Sequence, residues 1–185
     1  MTESKDLVRE GIVSFFFLGR APVAPGTFGS LGAFGLAYLI SIHLSDIAGF
    51  LLLGLAGGFY YVGLQVAPWC EEKFGKDPNI FVLDEVIGAF ITLGFLMILS
   101  INLDSNLWML TFIASRGFDV IKIWPAKDLE GMAGGHGIML DDVAAGFHTL
   151  ILVLLLEEFN ILPVSYTHLR AHETDSYLVC RLLLE

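Results

Sequence analysis

The sequence is poor in charged residues and in cysteine, and each shortage excludes some classes of protein. Only 16% of the residues are Asp, Glu, Lys or Arg, whereas a soluble domain averages about 25%. The chain has ten Lys and Arg residues but twenty Asp and Glu residues. It therefore lacks the basic surface that nucleic-acid binding needs, and we expect no nucleic-acid partner. Its two cysteines, Cys70 and Cys180, have no metal-ligand spacing and support no disulfide framework.

Apolar sequence is what the chain has in excess. Hydrophobic residues make up 55% of it, and the mean hydropathy is +0.71. A bilayer core needs about 20 residues of helix, so the second, third and fifth apolar segments are long enough to cross it, whereas the first and fourth are short or partly embedded. We predict an all-α fold, a polytopic membrane helical bundle of about five apolar helices. The five segments are residues 31–43, 47–68, 81–103, 107–123 and 137–162.

Two of these segments begin with the same acidic pattern. Residues 83–90 read LDEVIGAF, and residues 140–147 read LDDVAAGF. Gly88 and Gly146 each stand four residues after an acid, so in a helix the acid lies above a spot where another backbone or a ligand can approach closely. Acids in a first helical turn also favour the positive end of the helix dipole, which is the plainer alternative. Two matched pairs favour a magnesium site, because Mg²⁺ prefers carboxylate oxygens. The predicted metal ligands are Asp84, Glu85, Asp141 and Asp142.

The fourth segment carries three charged residues at intervals of three. Arg116, Asp119 and Lys122 therefore lie along one helical face. Charges at membrane depth are costly and usually functional. Arg offers a planar fork for a phosphate and Lys a point charge, and Asp119 would orient Arg116 or bind metal. An internal ion-pair ladder with the acid pairs is the alternative, and it is compatible with a phosphate site. We predict that His136 and His148 are packing residues.

Residues 24–30 read APGTFGS. Pro25-Gly26 predicts a turn, and Thr27 or Ser30 would cap the helix that follows. The glycines and the free N–H groups at a helix start also fit a phosphate group, although a plain turn and cap is the default interpretation. The candidate phosphate-binding residues of this stretch are Gly26, Thr27, Gly29 and Ser30.

The distribution of basic residues predicts the membrane topology. If all five segments cross and the Gly26 turn is cytoplasmic, residues 69–79 and 124–136 are also cytoplasmic. The opposite turns, at residues 43–46, 104–106 and 157–160, contain no Lys or Arg. This asymmetry matches the positive-inside rule. It places both acid pairs, the Arg116 cluster and the Gly26 turn on the cytoplasmic side.

The last stretch, residues 164–185, reads VSYTHLRAHETDSYLVCRLLLE and differs from the rest of the chain. It resembles the translation of a sequencing-adapter read-through, so we expect it to be foreign and dispensable. The alternative is a short native amphipathic helix over residues 176–184. We predict one domain over residues 1–163, a non-native tail over 164–185, and a native C-terminus that is missing after Pro163. No role is assigned to Cys180, His168, His172, Arg170 or Arg181.

Over about residues 11–150 these motifs together resemble the phosphatidylglycerophosphatase A family of bacterial inner-membrane lipid phosphatases. The family usually has Phe before the Arg and Pro after the Lys of its third motif, where this chain has Ser115 and Ile123. Neither difference removes a charged group, and any effect is confined to the local bend. The four motifs are residues 24–30; Asp84-Glu85 with Gly88, preceded by Asp77; Arg116, Phe118-Asp119, Lys122 and Trp124-Pro125; and residues 135–142 with Ala145-Gly146.

The resemblance implies Mg²⁺-dependent hydrolysis of phosphatidylglycerol phosphate to phosphatidylglycerol and phosphate, by a multi-pass inner-membrane protein with a cytoplasmic active site. The acids of the third and fifth segments would hold Mg²⁺, and Arg116 and Lys122 would stabilise charge on the phosphoryl oxygens. Another Asp or Glu would be the general base, and a covalent aspartyl-phosphate is an open alternative. The chain has no DxDxT run and no Cys-x5-Arg loop. The predicted catalytic residues are Asp84, Glu85, Arg116, Asp119, Lys122, Asp141 and Asp142.

Two other classes compete with this interpretation. A small transporter or channel would use the buried acids as an ion pathway, but the charges cluster at one face, with none near the middle of a helix. A phosphotransferase for CDP-activated lipids would need a repeated acidic motif with characteristic glycine spacing, which is not found. The predicted partners are the phospholipid substrate and membrane lipid, and the sequence does not indicate an oligomeric state.

Overall fold

A computed structural model of the chain describes residues 2–76, 78–159 and 161. This part of the chain contains a 3-10 turn at Leu18–Arg20 and no strand, so the predicted all-α fold is confirmed. The predictions for Asp77, for the boundary at residue 163 and for the tail at 164–185 lie outside the described residues. The helices are α1 (Thr2–Val13), α2 (Pro25–His43), α3 (Ala48–Phe74), α4 (Leu83–Ile98), α5 (Ser105–Ile121), α6 (Ala126–Glu130) and α7 (Gly135–Glu158).

The chain divides into two compact units, residues 1–152 and 153–185. The described part of the second unit is the end of α7 with residues 159 and 161. All of the predicted site residues belong to the first unit.

Among the described residues, three helices, α2, α3 and α7, are long and apolar enough to cross a membrane. The sequence predicts a short first segment, but α2 starts six residues earlier, at Pro25. Proline suits the first helical position because its missing N–H needs no partner there. The sequence also predicts that the third segment is long enough to cross, but its helix is shorter than predicted. α4 has 16 residues, about 24 Å at 1.5 Å per residue, because the chain leaves the helix at Leu99 and Ser100 adopts a left-handed φ of 57°.

The predicted loop over residues 69–79 is helical in its first half. α3 continues past Pro68 to Phe74. Its last turns are held by α1, a helix that the sequence analysis did not predict. The Trp69 indole N–H donates to Asp6 Oδ1 at 3.1 Å, and Lys73 Nζ lies 3.9 Å from Asp6 Oδ2. These contacts stabilise the helical turn that follows the proline.

The ends of α5 are fixed by local interactions. The predicted turn at residues 104–106 is instead the start of this helix, because the Asp104 side chain accepts the Leu107 N–H at 2.8 Å and so caps it. The fourth predicted segment runs to residue 123, but α5 ends at Ile121, and Lys122 follows with a left-handed φ of 47°. The predicted loop over residues 124–136 contains the short helix α6 and the first two residues of α7.

α4 is the central helix of the first unit. Ten of its sixteen residues are buried, as expected for a helix that is apolar on all sides and enclosed by others. Glycines allow α3 to come close to it: a Cβ on Gly49 would lie only 2.7 Å from the carbonyl oxygen of Gly94. The largest core side chains of α4 are Leu83, Ile87, Phe90, Leu93 and Leu96.

Candidate active site

A cavity of about 1110 Å³ lies where α2, α4 and α7 begin and where α3 and α5 end. All seven predicted catalytic residues line it, and so do Gly26 and Thr27. Ser30 lines a smaller pocket beside it, together with Arg116. Gly29 lies outside both pockets. A Cβ on Gly29 would lie 2.7 Å from the Val82 Cβ, so this glycine allows close packing of α2. Five carboxylates and two cations of the predicted set therefore share one cavity: Asp84, Glu85, Asp119, Asp141 and Asp142 with Arg116 and Lys122.

The acid pairs meet because α4 and α7 cross backbone to backbone. A Cβ on Gly146 would lie 2.7 Å from the Gly88 carbonyl oxygen, and a Cβ on Gly88 would lie 2.7 Å from the Asp142 carbonyl oxygen. The close approach predicted at these two glycines is confirmed. The buried Thr92 hydroxyl lies 3.0 Å from Gly88 O and 2.8 Å from Gly146 O, so it joins the two helices. Sequence reasoning missed Thr92, although a hydroxyl one turn after Gly88 in an apolar helix was a usable signal.

Three of the four predicted metal ligands form a compact group. Carboxylate oxygens of Asp84, Glu85 and Asp142 all lie within 4.8 Å of one another. Asp142 is 6% exposed, and Glu85 Oε2 is buried with no hydrogen-bond partner among the described residues. Burying anionic oxygens without compensation costs several kcal/mol. The oxygen-only donor set, its excess of negative charge and its unpaired oxygen fit a hard divalent cation such as Mg²⁺.

Arg116 is held at the edge of this acid group. Its Nη2 lies 3.0 Å from Asp119 Oδ2, and its Nη1 lies 3.8 Å from Glu85 Oε1. Nη1 also donates to the Ser30 hydroxyl at 3.2 Å. The predicted orienting role of Asp119 is therefore consistent with the geometry. The guanidinium faces the cavity from α5 with its position fixed by groups on three helices.

The start of α2 packs directly on this group. A Cβ on Gly26 would collide with the Glu85 carboxylate and would lie 3.1 Å from Arg116 Nη2. Glycine is required here for close approach, because a larger residue would push the helix start away from the acids. The prediction of a Thr27 or Ser30 cap is wrong. Ala24 occupies the cap position without a side-chain bond, and the Ser30 hydroxyl donates to Gly26 O at 3.0 Å inside the helix.

Asp141 and Lys122 form a second, separate pair in the cavity. Lys122 Nζ lies 2.9 Å from Asp141 Oδ2 and 2.9 Å from Glu130 Oε1. Burial by itself would lower the pKa of Lys122, but the hydrogen bonds with Asp141 and Glu130 hold that pKa above its usual value. Sequence reasoning missed Glu130, since an acid in a glycine-rich loop resembles an ordinary surface residue. Asp141 thus binds the lysine, and its Oδ1 is buried without a partner in the described part of the chain.

His148 packs as predicted, whereas His136 is exposed and hydrogen-bonded. The His148 ring stacks on Phe118 with centroids 5.5 Å apart, and its Nε2 lies 3.1 Å from Trp124 O. His136 Nδ1 lies 2.6 Å from the Tyr60 hydroxyl oxygen. Neither imidazole lines the cavity.

Comparison with known proteins relates this chain to lipid phosphatases. The family model described as phosphatidylglycerophosphatase A matches residues 11–157. A Bacteroides thetaiotaomicron protein provisionally named phosphatidylinositol-3-phosphatase is 35% identical over 147 residues, which are 75% of this chain and 86% of that protein. Phosphatidylglycerophosphatase A of Escherichia coli is 33% identical over 136 residues, 71% of this chain and 73% of the relative. The protein of that name from Haemophilus influenzae is 31% identical over 167 residues, 85% and 98% of the two chains. No solved structure matches the chain significantly.

Proposed function

Since this chain belongs to the phosphatidylglycerophosphatase A family and is a lipid phosphatase, we propose that it converts phosphatidylglycerol phosphate to phosphatidylglycerol in a Mg²⁺-dependent reaction at the cytoplasmic face of the membrane. The observation that carries this proposal is the clustering of Asp84, Glu85 and Asp142, with carboxylate oxygens within 4.8 Å of one another. Arg116 borders the same group. A carboxylate cluster beside a guanidinium supplies both a cation site and a phosphate site.

Asp84, Glu85 and Asp142 would hold Mg²⁺, because they offer only oxygen ligands and carry more negative charge than Arg116 neutralises. When bound, the ion would polarise the phosphoryl group and lower the pKa of a bound water. Asp141 is separate from this set, since Lys122 Nζ already occupies its Oδ2. Asp119 is likewise engaged, and it orients the Arg116 guanidinium at 3.0 Å.

The cations and the start of α2 would receive the phosphate. Arg116 presents a planar fork and Lys122 a point charge, which stabilise the negative charge that builds up on the phosphoryl oxygens. Gly26 and Thr27 line the cavity at the positive end of the α2 dipole. In the reaction, the oxygen of water bonds to phosphorus, the bond from phosphorus to the glycerol oxygen breaks, and that oxygen takes up a proton.

The charge distribution supports a cytoplasmic position. Lys76 and Lys122 line the cavity, and Lys127 lies in α6, five residues after Lys122 in the chain. The turns at the opposite end of the bundle, residues 44–47 and 99–104, contain no Lys or Arg. Basic residues favour the cytoplasmic side of a membrane.

Phosphate release from defined lipids tests the proposal. The purified full chain in detergent micelles should release phosphate from phosphatidylglycerol phosphate with Mg²⁺ and lose that activity when EDTA replaces it. Phosphatidylinositol 3-phosphate is the comparison substrate, because one relative bears the name of that activity. Faster release from the inositol lipid would contradict the proposed substrate. Full activity in EDTA would contradict the proposed metal, and no release from either lipid would favour the transporter alternative.

A further inference from the structure

The N-terminal part of the chain forms a hairpin that runs along α3 and then returns to the cavity. Asp6 bonds to Trp69 near the end of α3, whereas the Phe15 ring packs edge-on against Phe59 at 6.0 Å, ten residues further back in that helix. Ten residues correspond to about 15 Å, half of a bilayer core of about 30 Å. After its tip at residues 15–17, the chain returns to Pro25 at the cavity edge.

Three charged side chains of α1, those of Asp6, Arg9 and Glu10, have partners. Asp6 binds Trp69 and lies 3.8 Å from Arg9 Nη1, and the Arg9 guanidinium lies over the Trp69 ring at 5.7 Å. Glu10 is 7% exposed and pairs with Arg20 at 2.5 Å. The charges of the hairpin that are nearest to its tip are therefore neutralised within the hairpin.

Four large apolar side chains of the hairpin point outward, whereas Val13 and Phe15 are buried. Leu7, Val8, Phe16 and Phe17 are exposed, Phe16 to 74%. Several of them line an apolar groove of about 390 Å³ that also includes a side chain of α3. In water this surface would be costly, because exposed aromatic and branched side chains lose the free energy of burial. The residues that form the groove include Leu7, Val8, Ile12, Phe15, Phe16 and Phe59.

The backbone of the tip is internally hydrogen-bonded. Phe15, Phe16 and Phe17 all have left-handed φ values, of 44°, 57° and 66°. Each N–H from residue 15 to residue 19 nevertheless donates to an acceptor within the hairpin. Non-helical backbone survives at membrane depth only when its polar groups are satisfied without water. The acceptors, in order, are Ile12 O, Gly11 O, Ser14 Oγ, Phe15 O and Ser14 O.

We propose that residues 4–20 form a re-entrant membrane hairpin and that acyl chains of bilayer phospholipids occupy its apolar groove. The groove is continuous with α3 through Phe59, and α3 is itself long and apolar enough to cross the bilayer. The basic residues Arg9 and Lys73 lie at the shallow end of the hairpin, where anionic headgroups would meet them. Hairpin depth, charge placement and backbone bonding all suit this occupant.

Depth measurement with a fluorescent label tests the proposal independently of phosphatase activity. The full chain, with Cys70 and Cys180 replaced by Ala, receives one cysteine as Phe16→Cys or Val8→Cys, is labelled with a polarity-sensitive dye and is reconstituted in phospholipid vesicles. Phe50→Cys on α3 is the lipid-facing reference, since Phe50 is 68% exposed there. Lys127→Cys on the exposed face of α6 is the aqueous reference.

Nitroxide-labelled acyl chains should quench the dye at positions 8 and 16 within about twofold of the quenching at position 50, and at least about fivefold more than at position 127. If the dye at either hairpin position is quenched no more than the dye at position 127, the proposal is overturned. Rapid disulfide formation between two Phe16→Cys chains, with little lipid quenching, would show that a second copy covers the groove and would also overturn it. Having two label positions keeps the test decisive if one variant fails to fold.

Discussion

At the scale of single residues, the four acids of the two matched pairs divide into two groups with different partners. Asp142 joins Asp84 and Glu85, whereas Asp141 binds Lys122. The sequence predicts the identity of these acids but not their division. Consecutive residues of a helix point about 100° apart, so adjacent acids need not have the same partners: Asp84 and Glu85 reach one cluster, whereas Asp141 and Asp142 separate. Which face meets the lysine depends on how α5 and α7 pack, and that information is not local.

The Lys122–Asp141 pair leads to a prediction about stability and rate. Lys122→Met removes the partner of a side chain that is 8% exposed, so the free energy of unfolding should fall by about 3 kcal/mol. Turnover should fall about 100-fold with the loss of one phosphate-stabilising cation, and the Mg²⁺ dependence of the remaining activity should be similar. The measurements are thermal unfolding in detergent and phosphate release.

The matched control for this variant is Lys122→Met combined with Asp141→Asn. The amide removes the buried unpaired charge, so the double variant should recover most of the lost stability without recovering the activity. Recovery of activity together with stability would show that Lys122 acts only by holding the fold.

At the scale of secondary-structure elements, the crossing of α4 and α7 positions the acids. Gly88 and Gly146 were recognisable from sequence because each follows an acid by one helical turn. The hairpin of residues 4–20 was not recognisable from sequence, because its mixed charges resemble those of a polar surface. Only the structure shows that Asp6 accepts a hydrogen bond from Trp69 and that Glu10 pairs with Arg20. The length of α4 was also misjudged, because apolar residues continue past Leu99 after the helix has ended.

The crossing can be tested with one methyl group. Gly146→Ala places a Cβ 2.7 Å from the Gly88 carbonyl oxygen, and neither backbone can move without separating the helices. The free energy of unfolding should fall by about 2 kcal/mol, and turnover should fall about tenfold or more because the acids on the two helices move apart. Thermal unfolding and phosphate release measure the two effects.

Gly57→Ala is the matched control for this substitution. A Cβ on Gly57 meets no atom within 4 Å, so the change should be neutral or slightly stabilising through helix propensity. Equal behaviour of the two alanine variants would refute the tight crossing.

At the scale of the whole molecule, the helices of the first unit alternate in direction. α2, α4 and α7 begin at the cavity, and α3 and α5 end there. The sequence predicted this alternation from apolar segments and turns, and it predicted the clustering of charges at one end. It predicted a short α5 but not that α4 is shorter than a bilayer core, because the end of α4 depends on the backbone conformation of a single residue, Ser100.

The alternation predicts the sidedness of the loops. Single cysteines at Lys76 and Lys127, both exposed, should resist a membrane-impermeant thiol reagent in whole cells and react in inverted vesicles, provided that Cys70 and Cys180 are replaced. Ser45→Cys in the opposite turn is the control and should show the reverse pattern. Labelling of Lys76→Cys from outside the cell would place the cavity on the other side of the membrane.

The central claim is that acids from α4 and α7 together hold the metal used for phosphate release, and a Mg²⁺ titration of one pair of variants tests it most directly. Asp142→Asn keeps the shape of the side chain but removes a charge from the carboxylate cluster. Its turnover on phosphatidylglycerol phosphate should fall about 100-fold, roughly 3 kcal/mol of transition-state stabilisation, and half-maximal activity should need more Mg²⁺. Asp128→Asn, an exposed position in α6 outside the cavity lining, should behave as the unmodified protein does. An Asp142→Asn variant with unchanged turnover and unchanged Mg²⁺ dependence would contradict the account.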